Sequence, residues 1–120
     1  MNSTSRKLAT LAAAVATFWL FAAAPASSPR VTYEHAGDLN RLCTAKNLNW
    51  NAMCDGFIFG IFEVIANSPV YGYSACVPRS TSATEALDLI KKWLEAHREM
   101  DTQSASLVVA KTIAGEYPCK

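Results

Sequence analysis

The chain has 120 residues, a formal net charge of +1 and four cysteines. That length holds one small domain. The near-neutral balance, with no basic block, argues against nucleic acid and acidic membrane surfaces as partners.

Arg6 and Lys7 form a short basic region ahead of the uncharged apolar run Leu8 to Ala23, and Ala24-Pro25-Ala26 follows at once. This is the pattern of a secretory signal peptide, residues 1–26, cleaved after Ala26. The apolar run is short for a retained span of roughly 20 residues, so no membrane span is expected after cleavage. The mature chain would keep 94 of the 120 residues, with nine basic and ten acidic side chains. A chain of that size buries a modest core, and export makes disulfides the natural reinforcement. Cys43, Cys54, Cys76 and Cys119 read as two disulfides, with three pairings open. No C-x-x-C is present, so thioredoxin-like and zinc-ribbon chemistry lack their signature.

Residues 27–34 read as a flexible, proline-containing lead. A first helix is expected over His35 to Cys43, with Leu39, Leu42 and Cys43 on one face and Asp38 and Arg41 outward. Asn49 or Asn51 can cap the next helix. That central helix, CDGFIFGIFEVIA from Cys54 to Ala66, has Phe57, Ile58, Ile61, Val64 and Ile65 at helical spacing. Phe59 and Phe62 add apolar surface on a second side, so a helix with a narrow exposed strip and neighbours on several sides is expected. Gly56 and Gly60, one turn apart, suggest close approach of another backbone. Ser68-Pro69 stops the helix.

Residues 69–78 form a loop with Gly72, Cys76 and two tyrosines, Tyr71 and Tyr73. The rings either pack over the core edge or form a contact surface, since tyrosine offers large contact area at small entropic cost. Ser82-Ala83-Thr84-Glu85 is a capping box. It opens a helix to about His97 with the buried stripe Ala86, Leu87, Ile90, Trp93 and Leu94; Asp88, Lys91, Lys92 and Glu95 are expected outside. Asp101 or Thr102 can cap a last helix, whose inner face is Ala105, Val108, Val109, Thr112 and Ile113, and which Pro118 ends. The fold class is all-α: a small disulfide-linked four-helix bundle, residues 35–120.

In an up-and-down bundle Cys43 and Cys54 lie at one pole, Cys76 and Cys119 at the other. Disulfide geometry needs Cα atoms within about 7 Å, so Cys43–Cys54 and Cys76–Cys119 meet it with least distortion.

His35 and His97 are the only histidines. His97 suits the end of the third helix, where a cation complements the dipole. Glu63 is an acid on an apolar helix. No paired histidines stand at ligand spacing, and an even cysteine count leaves no free thiol for a Cys–His nucleophile. No catalytic residue, metal or cofactor is assigned; the reading is not an enzyme.

The first helix ending in Cys43, the run C-D-G-F-I-F-G-I-F-E from Cys54, C-V-P at Cys76, W-L-E-A-H-R-E from Trp93 and E-Y-P-C at the end together resemble the Rap/Tai immunity domain. The resemblance covers His35 to Cys119. It implies a small periplasmic α-helical protein that protects a bacterium from a peptidoglycan-cleaving amidase toxin of a type VI secretion system. It also implies dimers whose loops enter or cover the amidase cleft. Tyr71, Gly72 and Tyr73, with Arg79 as a polar anchor, are the candidate partner-binding residues. The apolar central helix allows a homodimer. The alternatives are a small periplasmic acid-stress chaperone, a related domain of other binding function, or an exported enzyme subunit or ligand carrier.

Overall fold

The structure is a computed structural model that describes residues 34–120. The expected signal peptide, and the lead up to residue 33, lie outside the described residues. Four helices follow in order: α1 (Ala36–Thr44), α2 (Leu48–Ile65), α3 (Ala83–Ala96) and α4 (Ala105–Glu116), with a 3-10 turn at Arg98–Met100 before α4. Among the described residues there is no strand, and pairing is limited to two isolated antiparallel bridges, His35–Ser104 and Val70–Tyr73.

Two of the helices, α2 and α3, start at a local side-chain cap. The Ser82 capping box forms as its sequence predicts. Ser82 Oγ accepts from the Glu85 N–H, and the Glu85 carboxylate accepts from the Ser82 N–H at 2.9 Å. α2 begins earlier than expected because Asn47 is its cap, accepting from the N–H groups of Asn49 and Trp50. Asn49 and Asn51 therefore sit inside the helix. Asp101 and Thr102 do not cap α4; Ser104 stands at that position without a side-chain bond to the helix backbone, and Asp101 pairs with Arg98.

α1 has no side-chain cap either, and its free N–H groups find backbone partners instead. Ala36 donates to Gln103 O at 2.8 Å and Gly37 to Asp101 O at 3.0 Å. The approach at Gly37 is close: a Cβ would come within 3.1 Å of the Asp101 side chain, which would have to give way. The start of α1 is thereby docked on the segment that leads into α4.

The core is drawn from all four helices: Leu39 of α1, Ile58 and Ile65 of α2, Ile90 and Leu94 of α3, Val108, Val109 and Ile113 of α4. Each such side chain contributes about 1.5–3 kcal/mol on burial. The expected inner face of α4 is buried throughout, with Ala110 in addition. In α3 the stripe is buried at Ala86, Ile90 and Leu94 and half-buried at Leu87 and Trp93. Lys91, expected outside, is half-buried instead. It turns toward α2, where its ammonium meets Asp55 at 2.5 Å and Asn51 Oδ1 at 3.1 Å. Asn51 in turn donates to Cys43 O at 2.9 Å, so α1, α2 and α3 share one polar strut.

Two disulfides brace the poles. Cys43 is bonded to Cys54 and Cys76 to Cys119, with Cα–Cα separations of 5.1 and 4.9 Å.

The expected narrow exposed strip of α2 is wrong. Ile58 and Ile65 are buried, and Phe57, Ile61 and Phe62 are half-buried, but Phe59 and Val64 are exposed. Among the described residues no backbone packs against Gly56 or Gly60, since a Cβ at either would meet nothing within 4 Å. Three other helices cannot enclose a fourth that is apolar nearly all round, so one flank of α2 stays open.

Candidate functional site

After α2 the chain turns back at Val70 and forms a two-residue hairpin. The Val70 and Tyr73 backbones exchange both hydrogen bonds, each at 2.9 Å. Tyr71 and Gly72 occupy the turn with φ of 52° and 79°. Two-residue turns of type I′ need positive φ at both central positions. Gly72 takes that geometry freely. Tyr71 does not, and a non-glycine side chain there costs roughly 1–2 kcal/mol. Strained residues of this kind persist where the surroundings hold them.

The surroundings here are identifiable. The Tyr71 hydroxyl lies 2.6 Å from Ser106 Oγ in the first turn of α4, and Ser106 Oγ is 3.1 Å from Ser104 Oγ. Tyr73 is half-buried against the core. Below the hairpin the Cys76 N–H donates to Tyr117 O at 2.8 Å, next to the Cys76–Cys119 bond. Tyr117 also packs edge-on to Phe62, ring centroids 6.0 Å apart. The loop is thus tied to α2 and α4, and the Tyr71 ring remains 61% exposed at its tip. The two tyrosines differ in burial: Tyr73 packs over the core edge and Tyr71 faces outward.

Arg79 is exposed in the next turn, which the Thr81 N–H closes onto Pro78 O at 3.0 Å. It makes no hydrogen bond or ion pair with the hairpin. What the sequence does not reveal is Ser106, whose hydroxyl on α4 holds a residue 35 positions away.

A second polar feature lies where α1 meets the turn before α4. His35, Gly37, Asp38, Arg41, Arg98, Asp101 and Thr102 line a groove of about 380 Å³. Each arginine is held by an aspartate: Arg41 by Asp38, and Arg98 by Asp101 at 2.7 Å. The Arg41 hydrogen bond keeps the Asp38 carboxyl below its ordinary range. The groove walls carry two arginines and two aspartates, and His35 Nδ1 lies 3.6 Å from Asp38 Oδ2. His97 closes α3, its Nδ1 2.8 Å from Trp93 O and its ring stacked on Trp93 at 3.9 Å. Glu63 is exposed on α2. Among the described residues no group of three His, Cys, Asp or Glu gathers as a metal site would require.

The family model of the Rap1a immunity proteins matches residues 35–119. The chain belongs to that family. The match takes in all four helices and all four cysteines. Proteins of this family are immunity proteins, generally not enzymes, whose partner is a secreted toxin. No curated protein and no solved structure matches the chain. The two disulfides are compatible with export, and among the described residues no helix is long and apolar enough to cross a membrane.

Proposed function

We propose that this member of the Rap1a immunity family is a periplasmic protein, exported with cleavage after Ala26, that binds and blocks a peptidoglycan-cleaving amidase toxin of a type VI secretion system. It acts by contact and carries out no reaction of its own. The hairpin Tyr71–Gly72–Tyr73 supplies the central contact, with Arg79 as a polar anchor at its side. The protein works as a pair of chains.

One observation carries this reading. An exposed aromatic is held at a strained backbone position by a hydrogen bond to a separate helix. Aromatic and arginine side chains dominate binding energy at interfaces. A ring fixed before binding loses little freedom on contact. A plain linker needs neither the strain nor the tether.

The test is protection in cells. An amidase encoded beside this gene is directed to the periplasm with and without the immunity protein. Survival with the wild-type protein, and lysis with Tyr71→Ala at equal abundance, is expected. Lysis despite wild-type protein at full abundance contradicts the toxin assignment. Survival with Tyr71→Ala moves the contact away from the hairpin.

A further inference from the structure

The two disulfides stand in different surroundings. Cys43 lies in α1 and Cys54 in α2, and both are buried, at 8% and 0% exposure. Cys76 lies in the loop between α2 and α3 and Cys119 beyond the end of α4, and both are exposed. Beside this second bond the Cys76 N–H donates to Tyr117 O at 2.8 Å. Bond and hydrogen bond together pin the segment that leads from the Tyr71 hairpin toward α3 onto the end of α4.

Thiol–disulfide exchange requires a thiolate to reach a sulfur, so access governs its rate. The Cys43–Cys54 sulfurs come within reach only when the core opens. Loop length pulls the other way. Closing 43 positions removes more chain entropy than closing 11, which couples the longer bond more tightly to the fold. Under a limited exposure to reductant, access sets the order.

We propose that Cys76–Cys119 is a reversible modification site, opened by a dithiol reductant while Cys43–Cys54 stays closed, and that opening it releases segment 76–81 from α4. One thiolate of the reductant attacks a sulfur of the pair. The S–S bond breaks, and the other cysteine leaves as a thiolate and takes up a proton. The reductant's second thiol then displaces the protein sulfur from the mixed disulfide. The protein gains two electrons and two protons, and the reductant departs as its own disulfide. Exchange with a disulfide oxidant runs the same steps in reverse. The helices pack on one another through Leu39, Ile58, Ile90 and Val109, none of them in the released segment, so the bundle stays folded. The proposal goes beyond the toxin reading and depends on no property of a toxin.

Timed reduction of the oxidised mature protein with dithiothreitol, quenched by iodoacetamide and mapped by peptide mass, tests the order. Cys76 and Cys119 should become alkylated about tenfold or more faster than Cys43 and Cys54. Circular dichroism of the singly reduced protein should keep its helical signal. Its Cys76 N–H should exchange with solvent about tenfold or more faster than in the oxidised protein, while the amides of Ile58 and Val109 are unmoved. Oxidised glutathione should restore the slow exchange. Cys76→Ser with Cys119→Ser should show the same exchange pattern with no reductant present. Equal rates at the two pairs, or Cys43–Cys54 opening first, overturns the site. Loss of the helical signal together with the exposed bond overturns the local release, as does an unchanged Cys76 exchange rate.

Discussion

The Tyr71 hydroxyl meets Ser106 Oγ at 2.6 Å, joining the tip of a loop to the first turn of α4. The bond fixes an exposed ring whose own backbone, at φ 52°, favours another residue. Tether and strain are the two quantities that substitutions can separate.

Tyr71→Asn separates stability from contact. Asparagine accepts positive φ and suits the first position of this turn, which recovers about 1 kcal/mol. The lost hydrogen bond costs about 1 kcal/mol in return. The melting temperature is therefore expected to stay within a few degrees of wild type. Ser106→Ala removes only the tether and should lower stability by about 1 kcal/mol. Thermal melts of the two variants check both values.

The strut at Lys91 is a stability element, not a binding one. Asp55→Ala leaves the half-buried ammonium with Asn51 alone. A loss of about 1–2 kcal/mol is expected, since an abandoned partly buried charge costs more than an exposed pair is worth. Lys91→Met, which removes the charge and keeps the stem packed, should cost less. Urea unfolding of both variants gives the order.

Acid sensitivity should pass through the α3 cap. The backbone and hydroxyl bonds from Ser82 hold the Glu85 pKa below its ordinary 4.5. A carboxylate depressed in the folded state stabilises it at pH above the unfolded value and loses that contribution as pH falls through the folded one. Asp38, held down by Arg41, has the same sign. Glu85→Gln should therefore be less stable than wild type at neutral pH, and the difference should shrink below about pH 4. Urea titrations across that range measure it.

The two disulfides should differ in worth. Cys76–Cys119 spans 43 positions and Cys43–Cys54 spans 11. Loop-closure entropy gives roughly 4 kcal/mol for the longer loop and 3 for the shorter. Cys76→Ala with Cys119→Ala should therefore lower the unfolding free energy more than the other pair, as denaturant melts would show. Losing the longer bond should also loosen the base of the Tyr71 hairpin.

Much of this arrangement was legible in the sequence, where local chemistry decided the outcome. The Ser82–Glu85 box, the buried face of α4 and the stop at Pro69 each depend on residues a few positions apart. The caps of α2 and α4 were misplaced because several polar residues competed for each, and only Asn47 had the geometry at α2. Lys91 was read as solvated because its partners, Asp55 and Asn51, lie on a different helix. The exposure of Phe59 and Val64 was missed for a related reason: apolar content shows what a helix could bury, not how many neighbours it has. At the candidate site, the paired tyrosines and Gly72 stood out, but no pattern linked Tyr71 to Ser106.

Calorimetric titration of the proposed amidase partner with wild-type protein and with Tyr71→Asn tests the central claim most directly. Tight binding by the wild type, with a loss of about 2–3 kcal/mol in Tyr71→Asn at unchanged melting temperature, is the result this account predicts. Equal affinity of the two proteins would contradict it, because the held ring would then contribute nothing to recognition.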